Sequence, residues 1–302
     1  MPRFGTVITA MVTPFDPDGA IDLDAAAVVA RHLVATGTDG IVVAGSTGEG
    51  SVLTDGERLD LVRAVVESVD VPVIAATGTN DTAHSVMLTK EAKACGADAV
   101  LAVTPYYNRP SPAGVSAHFR AIAAATDLPV VLYDIPVRSA RRIGSALTLE
   151  LARDVPTIVG VKDATGDVAG AAVVCAECPE GFEVYCGDDS LTLPFASIGG
   201  AGVISVAAHW AGRLFGSMIR AHRAGEVERA TALNFRLIES YRFQSTDEYP
   251  NPVPAKAACR ALGLPVGECR LPNTPGSEAL DALARSVVDG VAQFDPMPQS
   301  VA

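Results

Sequence analysis

Eight times along this chain an apolar, β-branched run gives way to a longer, alanine-rich amphipathic stretch, with a period of about thirty residues, the length of one βα unit. This alternation restricts the fold more than any other feature. A strand that is apolar on both faces needs cover on both sides, and a parallel partner can only be reached through a crossover. The candidate strands lie near 5–10, 40–44, 71–75, 99–103, 129–133, 157–162, 182–186 and 202–205. The helical stretches between them lie near 24–35, 55–68, 82–95, 113–125, 146–153, 167–175, 190–198 and 210–223. Thr54 with Glu57 three residues on reads as a capping box, and Gly37 and Gly96 read as helix stops. Eight units close an α/β (β/α)8 TIM barrel better than they fill an open doubly wound sheet, and no GxGxxG follows the first strand. Beyond the eighth unit 226–242, 254–262 and 277–291 read as helices with no strand between them. The expected organisation is a barrel over 1–224 that carries the catalytic site, a C-terminal helical appendage over 225–302, and a frayed, proline-bearing end at 294–302.

Composition narrows the partners. A chain of 302 residues that is 49% hydrophobic can bury a large core. Its net charge of −12 argues against nucleic acid and anionic membranes, both of which need clustered Lys and Arg. Small molecules are the expected partners. No apolar run approaches the roughly 20 residues of a membrane span, and the start runs directly into a strand pattern without a cleavable signal, so a cytoplasmic location is expected. The six cysteines suit a reduced compartment, and Cys175-Ala-Glu-Cys178 is a lone CxxC with no second pair. The five histidines stand far apart, so neither a metal nor a cofactor is expected.

In a βα barrel the active site is built from the carboxyl ends of the strands. Strand two ends in Gly45-Ser-Thr-Gly-Glu-Gly50, strand four in Thr104-Pro-Tyr-Tyr-Asn-Arg-Pro110, strand five in Tyr133-Asp-Ile-Pro-Val-Arg-Ser139, strand six in Lys162-Asp163 and strand seven in Gly187-Asp-Asp189. Lys162 stands out, because lysine is rarely buried without a partner. Alone, it is read equally well as a snorkelling or Asp163-paired lysine and as a desolvated amine nucleophile of the Schiff-base type. Singly, the other motifs are ordinary too: Gly-Ser-Thr-Gly is a common turn, and paired tyrosines are often wall residues. Together at one end of one barrel they fit an amine surrounded by hydroxyls and a guanidinium. An ordinary lysine, with pKa about 10.4, is neutral less than about one part in a thousand at pH 7, so such chemistry requires desolvation or a neighbouring cation. Tyr133, on the adjacent strand, can donate and recover the proton of carbinolamine dehydration, and Thr47 can link it to a further donor. The Gly-Ser-Thr-Gly loop offers N–H groups and hydroxyls to a small carboxylate, and Arg138 offers a fork for a second.

These five ordered motifs, with Gly202-Val-Ile-Ser205 as a sixth and flanked by Thr9-Ala-Met-Val-Thr-Pro-Phe15 and Pro250-Asn-Pro-Val-Pro254, resemble the dihydrodipicolinate synthase and N-acetylneuraminate lyase family of pyruvate-dependent class I aldolases. The resemblance spans nearly the whole chain. It implies that Lys162 forms an imine with pyruvate, that Tyr133 relays protons with Thr47 and Tyr107, and that Ser46 and Thr47 hold the pyruvate carboxylate. Gly187 and Ile204 would line the pocket through backbone groups. Arg138 matches the synthase-branch arginine that holds the carboxylate of L-aspartate 4-semialdehyde. By the same resemblance the chain is a homo-oligomer, a dimer or tetramer in which Tyr107 serves the neighbouring subunit. Its partners are pyruvate and an aldehyde co-substrate, in lysine and diaminopimelate biosynthesis.

Some positions depart from the synthase pattern. Ser46 stands for a threonine, Asp134 for the commoner asparagine, and Ala140-Arg-Arg142 for the glycine usual after the arginine motif. Arg141 and Arg142 are read as helix-start charges, or as groups that widen the preference towards acidic aldehydes. Where lysine-inhibited relatives carry histidine and glutamate, this chain offers Asp55, Arg58 and His84 while keeping Asn80 and Tyr106, so weak or absent inhibition by lysine is expected. Two other functions remain open at this level: a lyase or aldolase for 2-keto-3-deoxy sugar acids, and a non-catalytic barrel that binds a 2-oxo acid.

Overall fold

The structure, a computed structural model, describes residues 2–294. Of the end expected to fray, 295–302 lie outside the described residues, as does Met1. Eight parallel strands close into a barrel in sequence order: β1 Val7–Ala10, β2 Gly40–Val43, β3 Val73–Ala76, β4 Ala99–Val103, β5 Val130–Asp134, β6 Ile158–Asp163, β7 Glu183–Cys186 and β8 Gly202–Ser205. The intervening helices are α1 Leu23–Ala35, α2 Asp55–Val66, α3 Thr82–Ala94, α4 Pro112–Ala124, α5 Pro136–Ser139, α6 Ser145–Asp154, α7 Val168–Glu177, α8 Thr192–Ser197 and α9 Ala208–Arg223. The chain continues through α10 Val227–Arg236, α11 Ile238–Phe243, α12 Val253–Ala261 and α13 Glu278–Ala292. The (β/α)8 architecture is the one expected.

The period-two alternation of the strands sorts their side chains into two cores. Ile8, Val42, Ile74, Leu101, Val131 and Ile204 fill the barrel interior, while Val7, Ile41, Val73, Val100, Leu132 and Val184 face the helices. Each fully buried aliphatic side chain contributes about 1.5–3 kcal/mol. Both predicted helix stops hold: Gly37 and Gly96 have φ of 100° and 87°, and Thr54 and Glu57 close a capping box at the start of α2.

The first strand begins at Val7 rather than at residue 5. Gly5 turns at φ 85°, and the Asp39 carboxylate accepts the N–H groups of Thr6 and Val7 at 2.7 and 3.0 Å, which takes those donors out of the ladder. The helix expected over 226–242 is two helices that break at Leu237, a fully buried residue. The one-turn helix α5 was not anticipated; it is set by Pro136 in its first turn and ends at Ala140 with φ 57°. Helix α12 is buried along most of its length, including Lys256 at 0% exposure. It packs on α9, so the segment after the barrel lies against the barrel's last helix.

Candidate active site

The loop after β2 has little conformational freedom. Ala44 and Glu49 both adopt φ 55°, an uncommon backbone for residues with a side chain. A Cβ on Gly50 would meet the Ala44 carbonyl oxygen at 2.0 Å, so no other residue fits there. The Thr13 hydroxyl donates to the Gly48 carbonyl at 2.6 Å, and Gly50 N–H donates to the Gly45 carbonyl at 3.0 Å. This compact turn presents Ser46 to a cavity of about 320 Å3 that is also lined by Tyr133, Arg138, Asn251, Arg58 and Tyr106.

Strand register sets Tyr133 opposite Lys162, and Lys162 opposite Tyr185, so three side chains of neighbouring strands share the inward face. Lys162 is 6% exposed and Tyr133 5%. The Lys162 Nζ lies 4.3 Å from the centroid of the Tyr133 ring, a cation–π arrangement. Among the described residues no carboxylate forms an ion pair with Lys162. Asp163, the expected alternative partner, instead accepts the Thr165 N–H and hydroxyl at 2.9 and 2.7 Å. Gly187, just past β7, leaves the lane for the lysine: a Cβ there would stand 3.1 Å from Lys162 Cε and 2.9 Å from Ala164 Cβ. Ile204 lies on β8 in the barrel interior, 1% exposed.

Thr47 is 3% exposed, and its hydroxyl accepts from Asn251 Nδ2 at 3.0 Å. The guanidinium of Arg138 donates to the Asn251 carbonyl at 3.3 Å. Asn251 thus bridges a candidate relay hydroxyl and the candidate carboxylate fork. Nothing local in the Pro250-Asn-Pro motif marks this role, because the two partners lie more than 100 residues away along the chain. Tyr107 is not brought into the cavity. It is 88% exposed with φ 69°, and its neighbour Tyr106 lines the cavity instead.

A second network, also missed from sequence, braces the loop from behind. Glu49 and Lys256 form an ion pair at 2.8 Å with both side chains 1% exposed. Lys256 also donates to the Glu268 carbonyl and lies over the Phe15 ring, and Glu49 accepts the Arg270 N–H at 2.8 Å. Burial lowers the Lys256 pKa, and the adjacent Glu49 charge opposes the shift. Of the positions expected to weaken lysine inhibition, Arg58 is buried and donates to the carbonyls of Ala44, Ala76 and Gly50, while His84 and Asp55 pair at 2.8 Å. Arg142 pairs with Asp167 at 2.9 Å, and Arg141 donates to the Arg109 carbonyl at 3.1 Å.

The chemical capacity of this arrangement is that of a buried amine beside a phenol, with hydroxyls and a guanidinium at the rim. Residues 3–288 match the model of the dihydrodipicolinate synthetase family. The 4-hydroxy-tetrahydrodipicolinate synthase of Moorella thermoacetica is 49% identical, over 89% of this chain and 92% of the relative. A dihydrodipicolinate synthase structure from Bacillus anthracis superposes with a TM-score of 0.92 at 42% identity, covering 99% of this chain and 100% of the other. One from Cyanidioschyzon merolae with lysine bound gives 0.93 at 39% identity, covering 97% and 99%.

Proposed function

Because this chain belongs to the dihydrodipicolinate synthetase family, we propose that it condenses pyruvate with L-aspartate 4-semialdehyde to 4-hydroxy-tetrahydrodipicolinate through an imine on Lys162. It is a class I aldolase-type lyase of lysine biosynthesis. The observation that carries the Lys162 assignment is its inward position beside Tyr133, buried and, among the described residues, without an ion-pair partner.

The neutral Nζ adds to the C2 carbonyl of pyruvate, and the carbinolamine loses water to leave an iminium. The Tyr133 phenol supplies the proton that lets hydroxide depart as water. Tyr133, left as the phenolate, takes a C3 proton to give the enamine, whose C3 bonds to the aldehyde carbon of the semialdehyde while that proton passes on to the aldehyde oxygen to make the hydroxyl. The amino group of the semialdehyde then displaces Lys162 from C2, which closes the ring and frees the enzyme. Ser46 and Thr47 hold the pyruvate carboxylate, and Gly187 and Ile204 line its surroundings. Arg138, at the cavity rim, takes the carboxylate of the aldehyde. The names of the relatives favour the semialdehyde over a sugar-derived aldehyde.

Tyr107 joins the relay of a neighbouring subunit, so the working form is a homo-oligomer. Its 88% exposure and left-handed backbone support this reading. The barrel over 1–224 carries the chemistry, and 225–302 completes the site through Asn251 and Lys256. Among the described residues no helix is long and apolar enough to cross a membrane, which agrees with a cytoplasmic enzyme.

Borohydride reduction in the presence of pyruvate tests the imine. The expected result is a pyruvyl adduct on Lys162 that is lost in Lys162→Ala. An adduct on another lysine, or none, refutes the assignment. Arg138→Ala is expected to raise the KM for the semialdehyde about tenfold or more, since a charge-assisted hydrogen bond is worth about 1.5–3 kcal/mol. It should leave pyruvate trapping intact.

A further inference from the structure

The stretch from β5 to α6 carries Arg138 on a loop tied to its surroundings through side chains, Arg138 to the Asn251 carbonyl, Arg141 to the Arg109 carbonyl and Arg142 to Asp167. Helix α5 is a single turn, Ala140 stands at φ 57°, and Gly144 at φ 77°. The loop is closed at its base by one side chain. Asp134 Oδ2 accepts the N–H of Ile143 at 2.9 Å and that of Gly144 at 3.2 Å, so a single carboxylate oxygen gathers the segment 134–144 into a ring. The Ser139 hydroxyl, fully buried inside the ring, lies 2.8 Å from the Arg141 carbonyl and 3.0 Å from that of Ile135, either of which can accept its one proton, and keeps the span between them compact. Asp134 is 4% exposed, does not line the cavity, and directly follows Tyr133 on its strand.

We propose that Asp134 is the positioning residue of the substrate-selecting loop: by closing the ring it sets where the Arg138 guanidinium stands over the cavity, and so governs recognition of the aldehyde's carboxylate. The proposal rests on the reading of Arg138 given above. An asparagine, with its amide oxygen, can close the same ring as a neutral acceptor, whereas an alanine cannot. The carboxylate also adds sensitivity to pH. Its pKa is pushed up to about 6, chiefly by burial; the Asp163 charge on β6 adds to the shift, while the two backbone N–H donors and Arg142 oppose it. Those two charged neighbours are themselves engaged, Asp163 with Thr165 and Arg142 with Asp167. Below that pH the protonated group is a weaker acceptor, the ring loosens, and the guanidinium is held less well.

The test measures KM for the semialdehyde and for pyruvate, together with borohydride trapping, in Asp134→Ala and Asp134→Asn across about pH 5.5 to pH 8. Asp134→Ala is expected to raise the semialdehyde KM about tenfold while pyruvate KM and trapping stay within about threefold, a split that a general loss of structure would not produce. Asp134→Asn is expected to restore the semialdehyde KM at pH 8 to within about threefold of the parent. It should also abolish the parent's rise in that KM between about pH 7 and pH 5.5. An unchanged semialdehyde KM in Asp134→Ala, or an equal loss of pyruvate trapping, overturns the proposal. If the alanine variant does not fold, an asparagine variant that keeps the parent's pH profile overturns it alone. Arg138→Ala, run in parallel, separates the two readings. No change there removes the role of Arg138, and this inference with it, whereas a raised KM there with none in Asp134→Ala rejects this inference only.

Discussion

Replacing Lys256 with methionine removes one charge from a pair buried at the back of the active-site loop. The substitution nearly conserves volume, so packing loss is small, under about 1.5 kcal/mol. What remains is the stranded Glu49 carboxylate, whose side chain is 1% exposed and which keeps the Arg270 N–H at 2.8 Å and the Cys269 thiol as neighbours. Breaking a buried pair from one side costs about 3–5 kcal/mol. A carboxylate has one escape, which is to take up a proton. For an ordinary glutamate with pKa about 4.3, doing so at pH 7 costs roughly 3.7 kcal/mol at 1.36 kcal/mol per unit. That figure caps the electrostatic penalty at pH 7, and the cap falls to about 1 kcal/mol at pH 5. Lys256→Met is therefore expected to lose about 3–4 kcal/mol of stability at pH 7 and only about 1 at pH 5. Urea denaturation at both pH values, read as midpoint and slope, measures it. The double variant Glu49→Gln with Lys256→Met should recover most of the loss. A penalty at pH 7 below about 1 kcal/mol, or one equal at the two pH values, would show that Glu49 is solvated or repaired by another donor and would refute the reasoning.

Three other outcomes follow from the same geometry. Gly187→Ala places a methyl 3.1 Å from Lys162 Cε; steady-state kinetics and trapping should show kcat down by about tenfold or more with the fold intact by circular dichroism. Asp189 is fully buried, and burial pushes its pKa up to about 6 against backbone N–H bonds from Val206 and Ala207. Since the folded-state value lies above the unfolded one, the contribution of this group to stability is fully present below about pH 4 and is lost as pH rises through about 6, by on the order of 3 kcal/mol. Asp189→Asn removes this slope, so denaturation midpoints of parent and variant should shift relative to one another by that amount between pH 4 and pH 7. Lysine should inhibit only above about 1 mM, a binding free energy near −4 kcal/mol, because Arg58 is already bound to three carbonyls and His84 to Asp55. Initial-rate titration decides it, and half-inhibition in the micromolar range would contradict the expectation.

What could be read from the sequence follows from the range over which each determinant acts. Apolar strand runs are local signals, and they set Tyr133 and Lys162 at the carboxyl ends of consecutive strands; which face each side chain takes and their parallel register came only with the fold. The capping box at Thr54 and the stops at Gly37 and Gly96 are equally local. The role of Asn251 has no local mark, because its hydrogen bond to Thr47 joins residues 204 apart in the chain. The Lys256–Glu49 pair was hidden for the same reason, and α12 reads as an ordinary amphipathic helix until its lysine is found at the buried end of a carboxylate. The break at Leu237 was missed because no Gly or Pro marks it: the residue keeps near-helical angles, φ −88° and ψ −7°, and only the ladder is interrupted.

The dependence of the β2 loop on Asn251, Lys256 and Arg270 bears on how the protein is made. Synthesis runs from the amino end at about 5–20 residues per second, so Lys162 leaves the ribosome about a hundred residues ahead of Arg270. For several seconds the nascent chain holds its amine without the clamp that steadies the Ser46–Thr47 cradle. On the proposed reading of the site, catalytic competence therefore arrives only after Arg270 has emerged, and a ribosome-stalled fragment ending before Asn251 would carry Lys162 and yet is expected to turn over nothing.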